Sequence, residues 1–125
     1  MTRILIADDH RIVCEALTQA LEREPGVEVV GVAADGREAV RLTKKLKPDI
    51  VILDITMPGL SGIEAAAQIR AHEPQTRLIA LSMHSDRRYV TGALAAGVSG
   101  YLVKDCALEE LALALKTVEK GQVYL

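Results

Sequence analysis

Short apolar runs and segments of helical spacing alternate along the whole chain. The apolar runs are rich in Ile, Val and Leu and end at or next to a polar residue, which is typical of strands buried in a sheet. Strands are therefore predicted over residues 4–7, 27–33, 50–54, 78–82 and 100–103. Between them, apolar residues recur every three or four positions, which predicts amphipathic helices over residues 10–23, 36–47, 62–72, 87–96 and 107–120.

The ends of the predicted helices carry local signals. Ser61 and Asp86 are placed to cap the third and fourth helices, and Asp105 precedes the fifth. Prolines and glycines follow or close four of the helices, at Pro48, Pro74, Gly97 and Gly121. This alternation with short connections predicts the α/β class, as a (βα)5 doubly wound parallel sheet whose right-handed crossovers put helices on both faces.

Composition narrows the class of protein. The 125 residues suit one domain, and the core must be aliphatic because Phe and Trp are absent. A net charge of -2 gives no electrostatic case for direct binding of nucleic acid or of a membrane surface. Cys14 and Cys106 lack the spacing of a metal knuckle or a disulfide framework, and we find neither a signal peptide nor a membrane-spanning stretch. Together these features predict a cytoplasmic protein with reduced thiols.

Three carboxylates follow or end two of the predicted strands. Asp8 and Asp9 come directly after the first strand, and Asp54 ends the third. The carboxyl ends of parallel strands meet at one edge of a sheet, where ligands bind in doubly wound folds. Crowded carboxylates repel unless a cation joins them, so the pattern predicts a divalent-metal site with one carboxylate free to react. The alternative for Asp8 and Asp9 is helix capping in a solvated turn.

Further polar residues end the later strands. Ser82 could begin a turn or donate to a bound anion, and Lys104 could be a surface lysine or the counter-charge of the acids. Tyr101 is predicted as a half-buried aromatic at a strand end, with an inward and outward switch as the alternative. The carbonyl of Thr56 could supply a neutral metal ligand. His84 lies in a loop that could overhang the site.

Together these residues resemble, over the whole chain, the receiver domain of two-component response regulators. The acidic pair, phosphoacceptor, switch hydroxyl, switch aromatic and lysine of that family match, in chain order, Asp8, Asp9, Asp54, Ser82, Tyr101 and Lys104. The resemblance implies a flavodoxin-like sheet with strand order 2-1-3-4-5. Residues 81–86 and 100–105 are similar to the NarL/FixJ type, which carries a C-terminal helix-turn-helix of the LuxR kind. Ser82 replaces the commoner Thr, and Asp105 stands where many receivers have Pro, which leaves the isomer of the preceding peptide bond open.

The resemblance also implies a chemistry. A histidine kinase would transfer a phosphoryl group to Asp54, with Mg²⁺ or Mn²⁺ held directly by Asp9 and Asp54 and through water by Asp8. Lys104 and Ser82 would hold phosphoryl oxygens, and Thr56 and His84 would set the lifetime of the phosphate. The domain would not be an enzyme acting on other substrates, although it would assist its own phosphorylation and dephosphorylation.

By the same resemblance, residues 1–121 form the receiver domain and 122–125 begin the linker to a DNA-binding domain that is absent here.

On the last helix, one apolar stripe is predicted to pack on the sheet, made of Leu108, Leu111, Ala112, Leu115 and Val118. Leu113 falls nearly opposite this stripe, so phosphorylation-dependent dimers are expected through this helix, with either the first or the fourth helix.

Three other classes remain as alternatives. A hydrolase of the haloacid dehalogenase kind needs an acid two residues after the nucleophile, where this chain has Thr56. A flavodoxin needs a hydroxyl-rich phosphate loop after the first strand, where this chain has the repelling residues Asp8 and Asp9. A pseudo-receiver would use the fold only as an interaction surface, and the complete set of acids with Lys104 argues against it.

Overall fold

A computed structural model describes residues 1–55, 61–83 and 87–125 of the chain. Within these ranges, strands and helices alternate as the pattern predicts. The strands are β1 (Thr2–Ala7), β2 (Val27–Ala33), β3 (Ile50–Asp54), β4 (Arg77–Ser82) and β5 (Gly100–Val103). The helices are α1 (Arg11–Glu22), α2 (Gly36–Leu46), α3 (Gly62–His72), α4 (Arg87–Ala95) and α5 (Ala107–Glu119), with one 3-10 turn, Lys104–Cys106, before α5.

The strands form one parallel sheet in the order β2-β1-β3-β4-β5. Ala7 lies opposite Leu53, and Asp54 lies opposite Leu81 in the next strand. The carboxyl ends of β1, β3 and β4 therefore meet at one edge. This confirms the flavodoxin-like fold and strand order that the resemblance implies.

Helices cover both faces of the sheet and enclose two apolar clusters. One cluster contains Leu5 and Leu53 with residues of α2, α3 and α4, and the other contains Ile4 and Ile52 with residues of α1 and α5. Successive residues of a strand point to opposite faces, so both faces of β1 and β3 need apolar side chains. This explains why these strands have continuous apolar runs rather than alternating ones.

Local signals fix several helix ends. The side chain of Asp35 accepts a hydrogen bond from the Glu38 backbone N–H at 2.8 Å at the start of α2. Ser61 accepts one from Glu64 at 3.2 Å, which confirms the predicted cap of α3. The predicted cap Asp86 lies outside the described residues. His10 is the capping residue of α1 rather than its first helical residue.

Two details of packing differ from prediction. Leu108 was predicted to pack on the sheet, but it is 52% exposed, so this assignment is wrong. The buried stripe of α5 is instead Ala107, Leu111, Ala114, Leu115 and Val118. Tyr101 was predicted as half-buried, and it is only 5% exposed because it packs within the cluster on the α2–α4 face.

The residues after α5 return along the free edge of β5. The backbone N–H of Tyr101 donates to the carbonyl of Tyr124 at 2.9 Å, and the Tyr124 N–H donates to Ser99 at 2.9 Å. The Tyr124 hydroxyl donates to Glu110 on α5, and this hydrogen bond raises the pKa of the tyrosine. The peptide bond between Lys104 and Asp105 is trans. No helix formed by the described residues has the length and apolarity needed to cross a bilayer.

Candidate functional site

The three predicted carboxylates meet at the carboxyl edge of the sheet. Asp54 is fully buried at the tip of β3, Asp8 is 2% exposed after β1, and Asp9 faces solvent beside them. His10 joins the group, and one potential ligand atom from each of these four residues lies within 4.8 Å of all the others. Sequence reasoning predicted the three acids here, and the fold brings them together.

Backbone contacts hold Asp8 in place. Its N–H donates to the carbonyl of Ala33 at 3.0 Å, which extends the pairing of β1 with β2. Its Oδ1 accepts the backbone N–H of His10 at 2.8 Å, which turns the chain into α1. The buried thiol of Cys14 donates to the Asp8 carbonyl at 3.2 Å. Burial and the charge of Asp8 both raise the pKa of Cys14, so this thiol stays protonated and structural.

Gly62 allows the start of α3 to pack directly against the backbone of Asp54. A Cβ on this residue would fall far inside van der Waals contact with the Asp54 carbonyl oxygen and with Ile55 Cα. Only glycine therefore permits this approach. The sequence identified Gly62 as a helix start and gave no sign that it positions the reactive acid.

Lys104 bridges the two buried acids. Its Nζ lies 3.0 Å from Asp54 Oδ2 and 3.0 Å from Asp8 Oδ2, and its side chain is only 6% exposed. Burial opposes the charge of the ammonium, but hydrogen bonds to Asp54 and Asp8 outweigh it, so the pKa of Lys104 is raised above its ordinary value. Lys104 is therefore a fixed positive charge at neutral pH.

The predicted switch residues lie on the neighbouring strands. Ser82 is buried at the tip of β4, where it lies opposite Val103 in β5. Tyr101 is two residues before Val103 and is buried on the α2–α4 face. Thr56 and His84, the predicted lifetime residues, lie outside the described residues.

The donor set of this pocket fits a divalent cation. Its three carboxylates face one ammonium, which leaves a surplus of negative charge in a largely buried place. Asp8 Oδ2 forms the ion pair with Lys104, yet it accepts no hydrogen bond from the described part of the chain. Clustered carboxylate oxygens are the ligands that Mg²⁺ and Mn²⁺ prefer. The pocket is therefore able to bind a metal.

Two curated regulatory proteins are similar in sequence to this chain. The chain is 39% identical over 123 residues to the transcriptional regulatory protein DegU of Brevibacillus brevis, of which it covers 52%. It is 40% identical over 124 residues to the oxygen regulatory protein NreC of Staphylococcus haemolyticus, of which it covers 57%. Both alignments include 98% of this chain, which thus spans just over half of the length of these relatives.

Solved structures agree with these sequence relatives. A two-component response regulator of the LuxR family from Aurantimonas matches all of this chain, and 90% of its own, with a TM-score of 0.94 and 40% identity. The signal receiver domain of a NarL regulator from Mycobacterium tuberculosis matches 97% of this chain and 98% of its own, with a TM-score of 0.91 and 37% identity.

A family model described as the response regulator receiver domain matches residues 4–116. The match includes most of β1, all of the other strands and the acidic pocket at their carboxyl edge. It confirms the resemblance to receiver domains, and the LuxR-family and NarL structures agree with the narrower likeness seen at residues 81–86 and 100–105. The chain therefore belongs to the receiver domains of two-component response regulators, among relatives of the NarL and LuxR type.

Proposed function

We propose that this receiver domain accepts a phosphoryl group on the Asp54 carboxylate from a phosphohistidine of a partner histidine kinase. The P–N bond of the donor breaks as a P–O bond to an Asp54 oxygen forms. The observation that carries the proposal is the position of Asp54, fully buried at a strand tip and ion-paired with Lys104 at 3.0 Å. A carboxylate fixed in this way needs little reorganisation before it attacks.

The metal in this proposal is Mg²⁺ or Mn²⁺. When bound, it neutralises charge on the incoming phosphoryl oxygens. Asp9 and Asp54 would be its direct ligands, since the side chain of Asp9 is 34% exposed and can turn toward an ion. Asp8 would act through water, since it already accepts from His10 and pairs with Lys104. The family resemblance implies a further ligand from the carbonyl of Thr56, which lies outside the described residues.

Lys104 and Ser82 hold two oxygens of the transferred group. The ammonium of Lys104 already contacts Asp54, so a small movement brings it to the phosphoryl oxygen. Ser82 moves toward the same group from the tip of β4. The buried ring of Tyr101 keeps the surface formed by α4, β5 and α5 in its activated state. Water later removes the phosphate, at a rate set by Thr56 and His84. The domain thus modifies itself and turns over no separate substrate.

The whole protein is proposed to be a cytoplasmic transcriptional regulator. DegU is named a transcriptional regulatory protein, and this chain covers only 52% of it. Residues 1–121 are the receiver domain, and 122–125 begin the linker to a DNA-binding domain. The receiver itself does not contact nucleic acid, which agrees with its net charge of -2.

The first prediction tests the phosphoacceptor. Wild-type protein incubated with acetyl phosphate and Mg²⁺ should gain the mass of one phosphoryl group, and Asp54→Asn should gain none, because an amide oxygen is a poor nucleophile. The matched control is Asp35→Asn, because Asp35 lies at the same edge of the sheet but only caps α2, so this variant should gain the same mass as the wild type. Intact-mass spectrometry decides the matter. Equal mass gain in Asp54→Asn and wild type contradicts the assignment.

The second prediction concerns assembly. Leu113 is 59% exposed on α5, away from the buried stripe, and we propose that activated domains self-associate through this helix. Activation by beryllofluoride should shift wild type from monomer toward dimer in sedimentation velocity, and Leu113→Glu should remain monomeric. Ile12→Glu, on the exposed face of α1, shows whether α1 is the partner helix. An activated wild type that stays monomeric at high concentration refutes the proposal.

A further inference from the structure

His10 occupies the acidic pocket although the proposed function gives it no role. Its Nδ1 lies 2.9 Å from Asp8 Oδ1, 3.3 Å from Asp9 Oδ1 and 3.9 Å from Asp54 Oδ2. The same nitrogen lies 3.0 Å from the Nζ of Lys104. One ring nitrogen thus faces three carboxylates and an ammonium at once.

These contacts make incompatible demands on Nδ1. If the nitrogen carries a proton, it can donate to Asp8, but it then has no lone pair to accept a hydrogen bond from the ammonium of Lys104. If it is unprotonated, it can accept from Lys104, but its lone pair then faces a carboxylate oxygen at 2.9 Å. A cation between the ring and the acids would satisfy the lone pair and the carboxylates together.

We propose that His10 contributes Nδ1 as a nitrogen ligand, so that the pocket favours metal ions that accept imidazole, such as Ni²⁺ and Zn²⁺, over Mg²⁺. The proposal rests on the metal site of the proposed function and adds a residue that sets its selectivity. Carboxylate oxygens suit all of these ions, whereas imidazole suits Ni²⁺ and Zn²⁺ far better than the hard, strongly hydrated Mg²⁺.

The backbone holds the ring where such a ligand is needed. The N–H of His10 donates to Asp8 at 2.8 Å, and the residue is at the N-cap position of α1, so its Cα is fixed beside the acids. The side chain is 57% exposed, so the ring has room to rotate. Nδ1 therefore needs only a small rotation of the ring to meet an ion held by Asp9 and Asp54.

The ratio of Ni²⁺ to Mg²⁺ affinity tests this assignment. Calorimetric titrations of the wild type and His10→Asn should show that the substitution lowers this ratio by about tenfold or more. His10 is at the N-cap position of α1 but makes no side-chain capping bond, and asparagine is favoured at that position, so the backbone beside the acids is retained. The matched control is His72→Asn, because His72 is exposed at the end of α3 and should not affect the ratio. An unchanged ratio in His10→Asn overturns the proposal.

A spectroscopic measurement identifies the nitrogen. In ¹⁵N-labelled wild-type protein, Zn²⁺ should shift the Nδ1 resonance of His10 and leave the ring of His72 unchanged, whereas Mg²⁺ should shift neither ring nitrogen of His10 to a metal-bound value. A Zn²⁺ shift confined to other histidines contradicts ligation by His10. Phosphorylation of the wild type with Mg²⁺ tests the proposed function separately, since that function stands if the mass gain occurs and His10 proves not to be a ligand.

Discussion

Gly62→Ala should destabilise the domain by about 3 kcal/mol or more and should slow phosphorylation of the protein that still folds. The new methyl group would overlap the carbonyl oxygen of Asp54 and Cα of Ile55. Both are backbone atoms, so no flexible side chain can move aside. Relief requires α3 to move away from the strand tip or the tip of β3 to move, and either movement displaces Asp54 from Lys104.

Gly92→Ala on α4 is the matched control. A Cβ on Gly92 meets no atom within 4 Å, so alanine there should stabilise the helix slightly through its better helical propensity. Urea unfolding followed by circular dichroism gives both free energies, and mass gain from acetyl phosphate gives the phosphorylation rates. If Gly62→Ala matches wild type in stability and rate, α3 does not position the acid.

Gly62 shows that the sequence predicts a local helix start but not a tertiary contact. Its place after Ser61 predicted the start of α3, because capping is a local signal within one turn. Its close approach to Asp54 depends on how α3 packs against the end of β3, eight residues earlier in the chain. Nothing in the pattern of apolar positions reports that distance.

The acids were predictable for the opposite reason. The strands carry continuous apolar runs, and parallel strands put all their carboxyl ends at one edge, so Asp8 and Asp54 had to lie at the same edge of the sheet. The pairing of β1 with β3 makes them neighbours. The order of the strands came from the family resemblance and not from periodicity. His10 was assigned only to a helix start, which is correct for its backbone, but the direction of its ring is set by tertiary contacts.

Leu108 shows the limit of helical periodicity. The predicted stripe included it because a leucine three residues before Leu111 fits an apolar face. The buried stripe instead includes Ala107 and Ala114 beside Leu111, Leu115 and Val118, and Leu108 lies outside it. The size of side chains at the interface, which the pattern of apolar positions ignores, decides the rotation of the helix.

Lys104 offsets part of the negative charge of the pocket before any metal binds. Asp8 and Asp54 are both buried, and each has an oxygen 3.0 Å from the ammonium. Removing the lysine leaves two carboxylates in a poorly solvated place without a counter-charge. Loss of one partner of a buried ion pair is strongly destabilising, whereas added metal can supply the missing positive charge.

Lys104→Ala should therefore lower the free energy of unfolding by on the order of 3 kcal/mol in the absence of metal, and saturating Mg²⁺ should restore much of it. Folding raises the pKa of Lys104 above 10.5, the ordinary lysine value. The stabilisation of the fold by the charged lysine is therefore complete below pH 10.5 and is lost as the pH rises through the higher pKa of the folded state. Urea unfolding at neutral and alkaline pH measures this difference. Lys120→Ala, an exposed lysine after α5, should change neither value.

The same variant separates acceptance of phosphate from the response to it. Lys104→Ala should still accept phosphate slowly, since Asp54 and the metal ligands remain, but it should lose the chemical-shift changes that beryllofluoride induces at Ser82 and Tyr101 in the wild type. The reason is that Lys104, on the turn directly after β5, contacts Asp54 and so connects the phosphoryl group to that strand. Identical shift changes in Lys104→Ala and wild type would show that the signal reaches Tyr101 by another route.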